Sequence, residues 1–184
     1  MNVIQTEIPG VLIIEPKVFG DQRGFFVECF RNDRYAEHGI PGPFVQDNLS
    51  RSSRGVVRGL HLQNPKMQGK LVSVVCGNVR DVAVDVRRGS PTFGRYVAVE
   101  LSEENRRQLW VPRGFAHGFA VLSEMADVFY KCDEFYSPSD EIVLRWNDPA
   151  IGISWGISSP TLSARDAAAP LLADIELLPS YGRD

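Results

Sequence analysis

The chain has 184 residues, 43% of them hydrophobic, with 20 Lys and Arg against 23 Asp and Glu for a net charge of −3. That acidic balance argues against a nucleic-acid binder, which would usually carry a basic excess, and no apolar run approaches the roughly 18 residues of a membrane span. Three scattered cysteines, Cys29, Cys76 and Cys132, make neither a disulfide framework nor a zinc site.

The length fits one domain, residues 1–184, able to bury roughly 70% of its unfolded surface. The start, Met1-Asn2-Val3-Ile4-Gln5, lacks the basic and apolar regions of a signal peptide, which predicts a cytoplasmic protein with reduced thiols. Most of the periodicity is two. Gly24 to Phe30 reads as a strand behind a Gly20–Arg23 turn, and Arg34 to His38 as a short helix stopped by Gly39 and Pro41. Phe44 to Leu49 is a second strand with Phe44, Gln46 and Asn48 on one face. Lys70–Val75, a Cys76-Gly77-Asn78 turn and Val79–Arg87 make a β-hairpin, with Asp81, Ala83 and Asp85 opposite Val82, Val84 and Val86. Tyr96–Leu101 follows, then a mixed strand-and-turn stretch over Gln108–Leu122, then strands at Ala126–Cys132 and Glu141–Trp146. About ten short strands separated by turn signals predict an all-β antiparallel sandwich or barrel. Leu162 to Pro170 reads as a cap plus one helical turn.

One stretch stands out chemically. Arg58-Gly59-Leu60-His61-Leu62-Gln63, with Lys70 on the next strand, puts a guanidinium, an imidazole and an ammonium into segments patterned like a barrel wall. Taken singly, each of these has an ordinary reading, a solvated cation or a hydrogen-bonded core histidine. Together they suit an anionic, oxygen-rich ligand that meets a base. His61 shares its face with Gly59 and Gln63, His117 with Phe115 and Phe119, and Tyr130 with Val128 and Cys132. Strict alternation puts Arg58 and His61 on opposite faces, so both line one pocket only if the chain bulges near Gly59.

A barrel with His61 after a glycine and a Pro112-x-Gly114-x-x-His117 stretch first suggests a metal-binding cupin. The ligand count fails. Leu62 and Gln63 stand where the second histidine of His-x-His belongs, and His38 sits in the short helix, so three His ligands and a carboxylate cannot be assembled. Acid–base chemistry is the metal-free alternative. An imidazole near a carboxylate suits a general base, a lysine stabilises an oxyanion, and a tyrosine delivers a proton from another side. Tyr130 also has a plainer reading, a buried strand aromatic with its hydroxyl tied to backbone.

Several motifs together resemble one family closely: Gly20-Asp21-Gln22-Arg23-Gly24-Phe25-Phe26-x-Glu28; Phe44-Val45-Gln46-Asp47-Asn48-x-Ser50-x-Ser52; Val57-Arg58-Gly59-Leu60-His61-x-Gln63; Gln68-x-Lys70; Asp81-Val82-Ala83-Val84-Asp85; Trp110-x-Pro112-x-Gly114-Phe115-Ala116-His117; and Tyr130, Tyr136 and Glu141. The chain, from about residue 3 to residue 178, resembles the dTDP-4-dehydrorhamnose 3,5-epimerases.

The resemblance implies a cupin-type antiparallel jelly-roll barrel with a few short helices, homodimeric and without metal or cofactor. The implied role is in dTDP-L-rhamnose biosynthesis for cell-wall polysaccharide, with no nucleic-acid or membrane partner. It also implies the reaction, inversion of C3 and C5 of dTDP-4-dehydro-6-deoxy-D-glucose. By the same resemblance His61 is the base, oriented by Asp166; Lys70 stabilises the enolate; and Tyr130 is the acid on the far face. Arg23, Phe26, Glu28, Gln46, Asp47, Asn48, Arg58, His117, Tyr136, Glu141 and Arg165 contact the nucleotide sugar, with Arg23 and Arg58 suited to the diphosphate and Tyr136 stacking on thymine. Arg165 departs from the lysine expected at its position. Competing readings are a mono-epimerase acting at C3 or C5 alone, a non-catalytic nucleotide-sugar binder and a metal-dependent oxygenase; the last fails on the ligand count.

Overall fold

A computed structural model describes residues 1–182. In chain order the elements are β1 (Asn2–Gln5), β2 (Leu12–Glu15), β3 (Val18–Asp21), β4 (Gly24–Val27), α1 (Asn32–Ala36), β5 (Gln46–Ser53), β6 (Val57–Gln63), β7 (Lys70–Cys76), β8 (Asn78–Asp85), β9 (Tyr96–Ser102), β10 (Gln108–Val111), β11 (Phe115–Val121), β12 (Met125–Cys132), β13 (Glu141–Val143) and α2 (Ala164–Ala167), followed by a 3₁₀ turn at Leu172–Asp174. The six-stranded sheet runs β1-β2-β10-β7-β12-β5 and the five-stranded sheet β13-β6-β11-β8-β9, while β3 and β4 form a separate hairpin. Every strand pairing between named strands is antiparallel. The all-β jelly-roll expectation is the observed architecture. Among the described residues, no helix is long and apolar enough to cross a membrane.

Two sheets face each other because each strand between them carries an apolar inner row. Val72, Val74, Leu109, Phe115, Phe119 and Val128 pack in one cluster, each such side chain contributing about 1.5–3 kcal/mol when fully buried. The other face of the five-stranded sheet is apolar as well, since Val82, Val84 and Val86 join Leu144, Trp155 and Leu172 in a second cluster. The segment after β13 therefore folds back over that face. Thr161 O accepts from Val57 N–H at 3.0 Å and Pro170 O from Arg145 N–H at 2.8 Å. This return brings α2 beside β6.

Local expectations differ from the structure in one connection and at several ends. The two arms expected as a hairpin over Lys70–Arg87 do not pair, since β7 belongs to the six-stranded sheet and β8 to the five-stranded one. The strand placed at Gly24–Phe30 stops at Val27, because the Cys29 carbonyl is taken by the Tyr35 hydroxyl and the Gln108 amide, at 2.9 and 2.8 Å. The helix lies at Asn32–Ala36 rather than Arg34–His38, so His38 falls in the turn after it. The second strand begins at Gln46 instead of Phe44 and runs to Ser53. Strands β1, β2 and β3 had no counterpart in the sequence reading. The stretch Gln108–Leu122 resolves into β10 and β11 around Pro112–Gly114.

Candidate active site

A cavity of about 360 Å³ opens between the two sheets. Its wall is set by an irregularity in β6. On β11 the partners His117 and Phe119 are two residues apart, yet they pair with His61 and Arg58, which are three apart. The extra residue is accommodated at Gly59, whose φ is +122° and where a Cβ would come within 2.6 Å of the Gly118 Cα; only glycine tolerates both. The bulge turns Arg58 and His61 onto the same wall, as their joint lining of a pocket required.

The five-stranded sheet supplies two imidazoles, each bonded to a carboxylate. His61 Nε2 lies 2.7 Å from Asp166 Oδ1. Asp166 is buried on the one-turn helix α2, capped by the Ser163 hydroxyl, which accepts from the Asp166 N–H at 3.1 Å. Burial pushes the Asp166 carboxyl up, but His61, Ser163 and the Gly59 N–H together hold it below the usual aspartate value. With Nε2 committed, Nδ1 of His61 is the nitrogen left for other chemistry. His117 Nε2 lies 2.9 and 3.0 Å from the two oxygens of Asp81, which is fully buried. Alternation puts Asp81 on the face opposite Val82, Val84 and Val86 and assigns it no role; the signal that could have found it is a carboxylate abutting the apolar run Val82-Ala83-Val84.

The six-stranded sheet supplies the facing groups. Lys70, at the start of β7, is buried at the cavity wall. Burial pushes its ammonium below the ordinary lysine value, partly offset by Cys132, Glu141 and Asp81. Tyr130 on β12 sits with its ring centroid 6.4 Å from that of His117. Burial pushes its phenol above the ordinary value, so it holds its proton through neutrality. Asn48 pairs across from Tyr130, and Gln46 Nε2 donates to Asn48 Oδ1 at 3.1 Å. Arg58 Nε donates to the Ser52 hydroxyl at 2.9 Å, which holds the guanidinium against β5.

At the mouth, Tyr136 Oη donates to Glu141 Oε2 at 2.6 Å, and the same oxygen accepts from Arg165 Nη1. Burial raises the Glu141 carboxyl, but these two donors outweigh it and hold the pKa below the usual value. Arg165 and Asp166 are neighbours on α2, so one helical turn ties the mouth to His61. Gln63, with its carbonyl oxygen accepting from Ser137 N–H at 2.9 Å, anchors the loop that carries Tyr136.

Four expected contact residues lie off the cavity of their own chain. Arg23 is clamped to Asp21 at 2.6 Å on the exposed β3–β4 hairpin, where Phe26 is 68% exposed. Glu28 bonds Arg34. Asp47 alternates onto the outer face of β5, where it bonds Lys131 at 2.8 Å. Among the described residues no three His, Cys, Asp or Glu side chains gather as a metal site.

The geometry sits within a wide set of likenesses. The dTDP-4-dehydrorhamnose 3,5-epimerase family profile matches residues 5–174. A dTDP-4-dehydrorhamnose 3,5-epimerase of Salmonella typhimurium is 58% identical over 175 residues, 94% of this chain and 96% of its own. The structure of dTDP-6-deoxy-D-glucose-3,5-epimerase from Legionella pneumophila, in complex with dTDP-4-keto-L-rhamnose, superposes with a TM-score of 0.96 at 55% identity over 99% of each chain. A 3'-monoepimerase from Streptomyces bikiniensis, in complex with dTDP-quinovose, superposes with a TM-score of 0.90 at 37% identity over 96% of this chain and 92% of its own.

Proposed function

The chain belongs to the dTDP-4-dehydrorhamnose 3,5-epimerase family, an isomerase family, and from that premise we propose that it inverts C3 and C5 of dTDP-4-dehydro-6-deoxy-D-glucose to give dTDP-4-dehydro-L-rhamnose. The observation that carries this reading is the opposition of groups across the cavity: His61 on the five-stranded sheet, bonded to Asp166 of α2, and Lys70 and Tyr130 on the six-stranded sheet. Inversion next to a ketone needs a proton to leave one face of the ring and another to arrive on the opposite face.

In this scheme His61 Nδ1 takes the proton from C3, whose acidity comes from the C4 carbonyl. The electron pair of the broken C–H bond moves into the enolate, and its charge gathers on O4, where the Lys70 ammonium stabilises it. Tyr130 then protonates C3 from the far face. His61 passes its proton to solvent, Tyr130 regains one, and the same cycle runs at C5 on the other side of the same carbonyl. Arg58 takes the diphosphate, and Tyr136 stacks on thymine. The sugar is positioned by Gln46, Asn48 and His117.

A second copy completes the nucleotide site in this proposal. The β3–β4 hairpin stands free of its own cavity with Phe26 exposed, and β5 is a sheet edge whose length invites pairing. A homodimer in which Arg23, Phe26, Glu28 and Asp47 meet nucleotide bound by the partner accounts for both. An active monomer by light scattering at micromolar concentration would exclude it.

The deciding experiment is turnover of dTDP-4-dehydro-6-deoxyglucose in deuterated water, read by NMR. Deuterium at both C3 and C5 with inverted product is the expected result. Label at one carbon alone identifies a mono-epimerase, the second reading, favoured by the likeness to the Streptomyces bikiniensis enzyme. No label at either carbon refutes the proposal.

A further inference from the structure

On the inward face of β5, Gln46, Asn48, Ser50 and Ser52 alternate with the outward residues. Three of the four side chains are committed. Gln46 bonds Asn48 and the Tyr136 N–H, Asn48 Nδ2 donates to the Cys132 thiol, and Ser52 holds Arg58. Ser50 alone is not: its Oγ is buried and has no hydrogen-bond partner among the described residues, although Ser50 lines the cavity. The two other buried side-chain atoms in that condition, Asn78 Oδ1 and Arg80 Nε, belong to residues outside the cavity wall.

The surroundings make the hydroxyl more conspicuous. Ser50 pairs with Val128, which in turn pairs with Val74, so its row is otherwise aliphatic. A hydroxyl there adds nothing to packing that alanine would not supply, and a buried polar group without a partner is a net cost to the fold. Such a group calls for a partner that the protein does not contain.

We infer that Ser50 reads the C2 hydroxyl of the sugar and thereby sets specificity for a 2-hydroxy substrate; this rests on the epimerase reading above. The ring order argues for C2. Ser50 lies between the Asn48–Tyr130 row, which serves the inverted carbons, and Ser52, which holds the diphosphate-binding Arg58. In the substrate C2 lies between C3, which is inverted, and C1, which bears the diphosphate. The order of these inward residues along β5 is the order in which the inverted carbons, C2 and the diphosphate follow one another in the ligand. Stereochemistry selects the same carbon. The C3 hydroxyl changes ring face during the reaction and the C5 methyl does too, whereas the C2 hydroxyl keeps its configuration through both steps. A single fixed serine, free only to turn between staggered χ1 positions, suits the group that does not invert.

The test compares native chain and Ser50→Ala on the parent substrate and on its 2-deoxy analogue, dTDP-4-dehydro-2,6-dideoxyglucose, by kcat/KM, with dTDP affinity as a control for the fold. The native chain should favour the parent by tenfold or more, because the analogue leaves the serine unpaired. Ser50→Ala should lose about tenfold on the parent, the equivalent of one neutral hydrogen bond, with little change on the analogue and unaltered dTDP binding. An equal loss on both substrates, no loss on either, or weakened dTDP binding overturns the assignment while the native chain still turns over the parent. Failure of the native chain itself to turn over the parent overturns the epimerase reading and this inference with it.

Discussion

Replacing Asp166 with asparagine removes a charge and almost no volume. The carboxylate is 4% exposed and 2.7 Å from His61 Nε2, and the helix cap that holds it uses the backbone N–H, which the substitution leaves in place. The amide can still meet the imidazole in two ways. If its oxygen accepts from Nε2, the geometry survives but the charge that stabilises an imidazolium is gone. If its NH₂ group donates to Nε2, the ring proton moves to Nδ1, the nitrogen that must accept from carbon. A hydrogen bond to a charged group contributes about 1.5–3 kcal/mol; if that is felt in the transition state, at 1.36 kcal/mol per decade, the rate falls roughly 10- to 150-fold. Because one base serves both carbons, deuterium wash-in at C3 and at C5 should fall by the same factor. Asp166 is held below the usual aspartate value, so it is ionised across the neutral range and the charge removed by the substitution is missing throughout it. The assay is NMR wash-in at both positions for native chain and Asp166→Asn, with dTDP binding to show an intact site. Full activity in the variant, or a loss confined to one carbon, refutes the idea that Asp166 acts by orienting a shared base.

Tyr130→Phe should still exchange substrate protons with solvent, since His61 can abstract and return them on its own face, but should form little inverted product; equal loss of wash-in and inversion would refute the far-side role. Lys70→Ala should slow exchange and inversion together by about 10²–10³-fold, the usual cost of an oxyanion donor. Since burial lowers the Lys70 pKa, its ammonium is lost as pH rises through a value below the ordinary lysine range, so the alkaline limb of kcat/KM should fall there and move up in Lys70→Arg. Asp85 tests the fold rather than the site. It is fully buried and accepts from Arg87, Ser90 and Thr92, and those donors outweigh the upward push of burial to hold its pKa below the ordinary value. Its contribution is therefore present above the unfolded-state pKa and lost as pH falls through the folded one. Asp85→Asn should cost about 3 kcal/mol near neutrality, and thermal melts of the two chains should converge as pH is lowered below about 4. A constant gap across that range would refute it.

The sequence by itself carried much of what is local, though not the connection at Cys76–Asn78, whose two strands enter different sheets. Period two announced the strands, and the Gly59 bulge was legible as a condition, because Arg58 and His61 cannot share a wall at strict alternation. The cap at Ser163 was visible before α2, and the residue types of His61, Lys70 and Tyr130 announced acid–base chemistry. Asp166 came from resemblance alone, since nothing in the spacing connects it to His61, 105 residues away. The tertiary structure decided which faces meet. Alternation says that Asp81 and His117 each point to one side of a strand; only the β8–β11 register puts one carboxylate against one imidazole. The same holds for Ser50, whose lack of a partner is a property of the strands beside it, and for β1 and β2, whose short apolar pattern has meaning only once β10 lies against β2. It also decided that the Arg23 hairpin stands away from the cavity of its own chain. Side-chain direction is written in the residue-to-residue period, but contact across a barrel depends on sheet order and register, which are set by burial summed over the whole chain.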